Sequence, residues 1–391
     1  MEPTRTNEFT PDSDFLAVSL ELASGKWKLA FQDGKRPNAA IRTVDDEEPA
    51  ARLDAVLAEV DKIKAKWGWP ATLRTVFLYE AGQDGFWIAR RLVALGHEAL
   101  VCDPASLLVQ RHARRAKTDR LDAIALVTTL RAWLGGEKDR MRVVRIPSEA
   151  DEARRHIVRD RGQLQKEALQ HRDRIRKLLR TVGCWDSVGS DIGARLTDGQ
   201  VRCHDGRPLP PELHQRLSRE AERLDLAARQ LAALEADMVA QLPAPTRERA
   251  ARLQRLRGVG PVGAVRLVLE LFWRRFDNRK QVGAAVGLVP QPYDSGNSRV
   301  DQGISKQGNR RVRSLLVEMA WFWLRYQPTS AISRWFAEFT GGGRGKRHKR
   351  VAIVAVARRL VIALWRYLEH DVLPDGAQLK VAAPVENGAV A

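Results

Sequence analysis

At 391 residues the chain is long enough for two or three domains, each with a core of its own. Hydrophobic residues make up an ordinary 44%, but a formal net charge of +18 is not ordinary, and it points to a polyanionic partner, nucleic acid before membrane. No apolar run approaches a membrane span, and residues 1–14 are too polar and acidic for a signal peptide. Cys102, Cys184 and Cys203 are odd in number and far apart, which fits reduced thiols in a cytoplasm; Cys203-His204 has no partners at zinc spacing.

Residues 15–32 alternate apolar and polar and break at Ser24-Gly25, which predicts a β-hairpin with Glu21 near the end of its first strand. A helix is predicted from about residue 48 to 67, with Leu53, Val56, Leu57, Val60 and Ile63 at helical spacing. Residues 73–79 form a short apolar strand ending at Glu80, a helix spans about 86–95, and residues 99–102 are another buried strand, stopped by Asp103-Pro104. With a helix over 117–134, strands and helices alternate, so the N-terminal region is an α/β domain with a partly parallel sheet.

The last of these helices opens with Lys117-Thr118-Asp119-Arg120-Leu121-Asp122-Ala123. Asp119 and Asp122, three apart, project from one side of a helix and repel each other. A divalent ion such as Mg²⁺, which prefers carboxylate oxygens, offsets that repulsion. The segment before them, with Arg114, Arg115 and Lys117, is basic enough for a phosphate-bearing substrate. Taken alone, the pair reads as readily as solvated surface acids balanced by nearby arginines. Sites in open α/β sheets form outside the carboxyl ends of strands, so Glu21, Glu80, Asp119 and Asp122 can converge. Four acids suffice for two metal ions, which activate an attacking oxygen and stabilise a leaving one.

From about 148 to 242 the character changes. Ile157, Leu164, Ala168, Ile175, Leu178 and Val182 mark a helix with a narrow apolar stripe, followed by a loop-like segment over 183–210. Leu217, Leu224, Leu231 and Met238 then recur every seven residues, with Ala221, Ala228 and Leu242 in companion positions. This predicts a coiled-coil hairpin or dimerising arm, whose Arg-rich first helix suits a nucleic-acid backbone as well as a solvated flank.

The third region opens at Gly258-Val259-Gly260-Pro261, a turn before a helix that is either a phosphate-gripping helix–hairpin–helix element or a plain helix–turn–helix junction. Over 281–313 two helices are expected to flank a loop holding Ser295-Gly296, Arg299, Ser305-Lys306, Gly308-Asn309 and Arg310-Arg311. A serine in a tight Gly turn presents its hydroxyl openly, with arginines to bind the phosphate it attacks; a Ser-Gly pair in a loop is also simply a turn. A helix from about 311 to 324 buries a broad apolar face. Residues 341–350, with Arg344, Lys346 and Arg347, read as a mobile basic loop, 351–367 as a final helix, and 373–391 as a disordered tail.

Together these residues resemble the DEDD transposases of insertion-sequence family 110, serine recombinases guided by a bridge RNA, over nearly the whole chain. The family's first acid, in a Gly-Ile-Asp strand, is matched by Glu21, six residues before Trp27; Ser19 is an alternative alignment that would leave that ligand missing. Glu80 in Tyr-Glu-Ala-Gly matches the second acid, and Asp119 and Asp122 in Lys-Thr-Asp-Arg-Leu-Asp-Ala match the paired ones. Gly-Val-Gly-Pro, Gly-Leu-Val-Pro and Ser-Gly before Ser-Lys-x-Gly-Asn-Arg look like its C-terminal signature and place the nucleophile at Ser295.

The resemblance implies a RuvC-like (RNase H-like) α/β nuclease domain over 1–145, a coiled-coil helical arm over 146–250 and a mostly α-helical transposase domain over 251–372. It implies Mg²⁺ held by the four acids, a phosphoserine link to target and donor DNA, and a non-coding bridge RNA as guide. It further implies a homo-oligomer, dimeric and tetrameric when assembled on nucleic acid, with acids from one protomer and serine from another, working in the bacterial cytoplasm on the nucleoid. Two readings compete with it: a metal-dependent nuclease or junction resolvase that uses water, and a non-catalytic nucleic-acid scaffold.

Overall fold

A computed structural model of the chain describes residues 14–107, 118–295, 298–341 and 345–380. The chain divides into two units, Met1–Ser148 and Glu149–Ala391.

The first unit is built on one sheet in the order β3-β2-β1-β4-β5, formed by β1 (Leu16–Leu22), β2 (Trp27–Gln32), β3 (Ala40–Val44), β4 (Thr75–Glu80) and β5 (Glu98–Cys102). The β1–β2–β3 meander is antiparallel, whereas β1, β4 and β5 run parallel. Both faces of the sheet are covered, so its central strands read as apolar runs rather than clean alternation. Leu16, Val18, Leu20, Phe77 and Tyr79 meet α1 (Pro49–Trp67) and α2 (Trp87–Ala94) on one face. The opposite face carries Ala17, Ala30, Val76 and Leu78 and packs on α3 (Asp119–Leu134) through Ala123, Leu126, Val127 and Leu130. Small residues on that face let α3 lie close. The start of α1 has Pro49 in its first turn and its end has Gly68 in the left-handed region, which close the helix in the usual asymmetric way. Strand β3 was not expected from the sequence; it pairs with β2 from Trp27↔Val44 to Phe31↔Ala40 and finds little apolar cover of its own.

In the second unit α4 (Glu149–Arg180) and α6 (Pro211–Asp237) pack along each other. Arg161 pairs with Glu235 and Arg174 with Glu220, so the two helices run antiparallel. The buried stripe of α6 is Leu217, Ala221, Leu224 and Ala227, and Ala228, expected inside, is exposed. The stripe advances by four, three and three residues, so at this point it is Ala227 that faces inward. The segment expected to be loop-like contains α5 (Ile192–Thr197) and buries Cys184, Ile192, Leu196, Val201 and Leu209 against the end of the helical hairpin.

The remainder is mostly helical: α7 (Ala244–Gln254), α8 (Pro261–Glu270), α9 (Arg279–Ala285), α10 (Arg310–Tyr326), α11 (Ala331–Thr340) and α12 (Lys346–His370). Helix α12 supplies the centre of their core with Val356, Leu360, Val361 and Leu364. Three expectations are corrected here. Between α9 and α10 the chain forms a hairpin, β6 (Pro290–Ser295) with β7 (Ser298–Ile304), rather than an irregular loop, because the backbone groups of each strand satisfy the other's. Helix α12 begins at Lys346, so part of the expected basic loop is helical, in keeping with the helix propensity of Lys and Arg. The expected tail is ordered through Lys380: Gln378 exchanges hydrogen bonds with the buried Gln327, and Lys380 N–H donates to the Arg255 carbonyl. Residues 381–391 lie outside the described residues. No helix among the described residues is long and apolar enough to cross a membrane.

Candidate active site

Strands β1 and β4 pair in parallel as far as Leu20↔Tyr79, so Glu21 and Glu80 occupy the next step, at the carboxyl ends of adjacent strands. Alternation along each strand places Glu21 with Ala17 and Ser19, and Glu80 with Val76 and Leu78, on the face that α3 covers. The direction of α3 is set at both ends. The Ser19 hydroxyl donates to the Ala123 carbonyl at 2.6 Å near its start, and Arg131, near its end, lies over the Phe15 ring at 4.9 Å. The helix therefore runs antiparallel to β1, and its first turn, with Asp119 and Asp122, stands at the edge where Glu21 and Glu80 emerge.

Glu21, Glu80 and Asp122 are half-buried and Asp119 is exposed. The field of these acids registers on Cys102 at the end of β5. Its thiol is pushed up to about 12, first by burial, then by Glu80, and also by Asp103 and Glu21. Thr118 caps α3, its hydroxyl accepting from Leu121 N–H at 3.4 Å, and both aspartates in the first turn favour the positive end of the helix dipole. Ser19 is fully buried and its hydroxyl is engaged with Ala123, while Glu21, the next residue on that face, stands at the strand end. The four acids form a donor set of hard oxygens of the kind Mg²⁺ takes. They are not drawn into a tight ligand cluster: among the described residues no three Asp, Glu, His or Cys side chains stand close enough to hold a metal ion. Arg114, Arg115 and Lys117 lie outside the described residues.

The second unit holds the candidate nucleophile. Ser295 ends β6 and pairs with Ser298, the last register step before the turn of the hairpin, and Arg299 stands opposite Asp294. The placement is one of backbone; these side chains lie outside the description. The chain leaving β7 is tied down along the end of α9. Ser305 N–H donates to Val289, Lys306 N–H to Gly287 and Asn309 N–H to Ala285, all to backbone carbonyls. Two glycines permit this approach. Gly287 and Gly308 have φ of +66° and +108°, and a Cβ on them would lie 2.1 Å from the Gln307 oxygen and 2.5 Å from the Ala285 oxygen.

Several expected phosphate contacts thus have structural duties. Asn309 caps α10, accepting from the N–H groups of Arg311 and Val312, and its amide donates to Glu270 at 3.0 Å, so it is not an open phosphate ligand. Gly258 adopts φ +84° with the Phe322 carbonyl oxygen 3.3 Å from where a Cβ would stand, and Gly260 precedes Pro261 as the extended N-cap residue of α8. Lys306, Arg310 and Arg347 are exposed, Lys306 in the left-handed region at φ 56°. The side chain of Lys346 and the whole of Arg344 lie outside the description. One basic site had no signal in the sequence. Arg159, Arg266 and Arg311, from three separate helices, line a cavity of about 270 Å³ with Glu270 and Gln163. Burial first, then Arg161, lowers the Arg266 pKa.

Residues 250–333, which span the Gly258 turn, the hairpin and the cap of α10, match the family model described as Transposase IS116/IS110/IS902 family. The chain is 39% identical over 389 residues to putative transposase y4rJ of Sinorhizobium fredii, covering 94% of this chain and 96% of that protein. It is 34% identical over 316 residues to putative transposase y4qE of the same organism, covering 80% and 72%. It is also 26% identical over 287 residues to the transposase for insertion sequence element IS1328 of Yersinia enterocolitica, covering 73% and 81%.

Proposed function

The chain belongs to the IS116/IS110/IS902 family of transposases, and from that premise we propose that it cuts and rejoins DNA through a phosphoserine intermediate formed at Ser295 under RNA guidance. The observation that carries this reading is the hairpin: a serine stands at its turn, inside the segment that matches the family, on a base held by two glycines at positive φ. Rigid backing of this kind keeps a nucleophile within reach of its target.

In the proposed reaction the Ser295 oxygen bonds to a DNA phosphorus and the strand's own oxygen departs as a hydroxyl, taking up a proton as the serine gives one up. The number of phosphate ester bonds is unchanged, so a second strand end reverses the step without ATP. Glu21, Glu80, Asp119 and Asp122 would hold Mg²⁺, which supplies stabilisation of charge on the phosphoryl oxygens. Ion binding would draw these four carboxylates together at the strand edge, since their mutual repulsion falls when a cation lies between them. The parallel β1–β4–β5 arrangement under α3 supports a RuvC-like nuclease domain, and the α4–α6 hairpin an arm for association. Acids and serine would come from different protomers of a dimer or tetramer. Target and donor DNA would be selected by pairing with a bridge RNA, on nucleoid DNA in the bacterial cytoplasm, the protein gripping mainly backbone.

The test uses purified protein with Mg²⁺, RNA from the sequence flanking its gene, and end-labelled target and donor DNA. The wild type is expected to give an SDS-resistant protein–DNA adduct, and Ser295→Ala none. Asp119→Asn should lower adduct formation by about a hundredfold or more, in line with losing an electrostatic stabiliser of the transition state. Cleavage of equal extent in wild type and Ser295→Ala, with no adduct in either, would instead assign a metal-dependent nuclease.

A further inference from the structure

The base of the serine hairpin borders a groove of about 770 Å³ between Gln302–Ile304, α9 and one face of α12, which the proposed chemistry leaves unused. Its floor is apolar. Val351, Val354 and Ile362 share a face of α12 at helical spacing, and Leu288 and Ile304 meet them. Val351 remains 53% exposed, an apolar side chain left open to water at the mouth of the groove.

The rim has the opposite character. Lys306 stands on the strap after β7, and Arg279 and Lys280 on the first turn of α9. Helix α12 adds Arg347, Arg350, Arg358 and Arg359. Among the described residues no Asp or Glu lines the groove, and none of these cations has an ion-pair partner. On one wall Arg359 lies over Trp335 at 4.1 Å while Trp335 stacks on Phe339 at 5.0 Å, so that wall is fixed in shape.

Unpaired cations around an apolar floor match a ligand with regularly spaced negative charge and flat apolar surfaces. A duplex offers the charge but keeps its base faces stacked inside. A single strand offers both: its phosphates follow a cationic rim, and its bases find apolar or aromatic surface. Over such a floor a ribose 2′-hydroxyl would lose its water with little to replace it, which favours DNA over RNA.

We propose that this groove holds an unpaired stretch of the DNA strand that Ser295 attacks, bases against Val351 and Val354 and phosphates along the rim. That it is the attacked strand rests on the reading of Ser295 as nucleophile; that it is single-stranded DNA rests on the groove alone. Seating the strand here would hold it at the base of the hairpin that carries Ser295 while the duplex is open.

The test is photocrosslinking of the full-length protein. Its probes are a DNA strand of about 15 nucleotides, near the upper span of one such site, carrying 4-thiothymine; the same strand in duplex; and the same sequence as RNA carrying 4-thiouracil. Crosslinked peptides are expected from α12 and residues 302–306 with single-stranded DNA, reduced by about tenfold or more with duplex or RNA and in Val351→Asp, the effect of losing a well-stacked base. Arg350→Gln, a milder change at an exposed position, should lower the slope of log affinity against log salt by about 0.7, the value for one phosphate on a single strand. Crosslinks that map elsewhere, that are as strong with RNA, or that persist in Val351→Asp overturn the proposal. Ser295→Ala separates the two readings. It should crosslink like wild type, and groove crosslinks in a wild type that forms no adduct would sink the nucleophile and leave a single-stranded DNA site.

Discussion

Asn309 fills two gaps with one side chain. Its oxygen caps the start of α10, and its amide nitrogen donates to Glu270, a buried carboxylate that also holds Arg159 at 3.1 Å. Asn309→Ala would leave the cap unmade and Glu270 short of a donor, which predicts a loss of about 1–3 kcal/mol. Thermal unfolding checks this, and a melting temperature equal to that of wild type would show that water replaces both contacts. The same segment shows what one residue's chemistry reveals in a sequence. Ser-Lys-x-Gly-Asn-Arg suggests phosphate binding, since Gly, Asn and Lys occur in such loops. Gly308 instead admits the carbonyl of Ala285, and that contact depends on a helix more than twenty positions earlier in the chain. Glu21 and Ser19 differ in the same way. The sequence leaves either as the matching position; the structure shows the Ser19 hydroxyl buried and bonded to the Ala123 carbonyl, and Glu21 one step beyond the last residue of the strand paired with β4.

Between α4 and α6 the seam carries its own acid. Burial by itself would raise the Glu220 carboxyl, but hydrogen bonds from His171 at 2.6 Å and Arg174 at 2.9 Å outweigh it and hold the group below its ordinary value. A carboxyl depressed on folding stabilises the folded state above its unfolded value, about 4.3 for Glu, and that contribution is lost as pH falls through the depressed value. Urea unfolding of the second unit, followed by helical circular dichroism from neutral pH downward, should therefore weaken as acid is added. Glu220→Gln should flatten part of that decline; an unchanged pH dependence would deny the seam its role. The helices themselves are legible from their apolar spacing, because that signal is local. The exact stripe is not, since Ala227 and Ala228 are equivalent until the partner helix is placed. Residues 374–380 make the point from composition. They read as tail, yet their backbone groups serve Gln327, Arg255 and Ala331, a gain that hydropathy does not record.

Each unit carries apolar clusters of its own: both faces of the sheet in one, the α7–α12 core and the helical-hairpin cluster in the other. Fragments 1–148 and 149–391, expressed separately, should each unfold cooperatively, as domains with their own cores do. The proposed acids lie in one and Ser295 in the other, so neither fragment alone should give the covalent adduct. An adduct formed by 149–391 alone would remove the acids from the chemistry. The net charge of +18 is a property of the whole chain and predicts nucleic-acid binding that weakens steeply with salt, but charge of this kind says nothing of fold.

By itself the sequence determined the polyanionic partner, the alternation of strands and helices that makes the first unit α/β, the acids at strand ends and on one helix turn, and the family likeness. These are legible because charge, periodicity and short motifs are written in neighbouring residues. Only the tertiary structure decided that residues 290–304 pair as a hairpin, that 374–380 are strapped onto the helical core, and that α9, the hairpin base and α12 enclose a cationic groove with an apolar floor. Each depends on hydrogen bonds and packing between segments far apart in the chain. Polar, Gly-rich stretches have no apolar pattern to announce a structure that forms only when their backbone groups find distant partners.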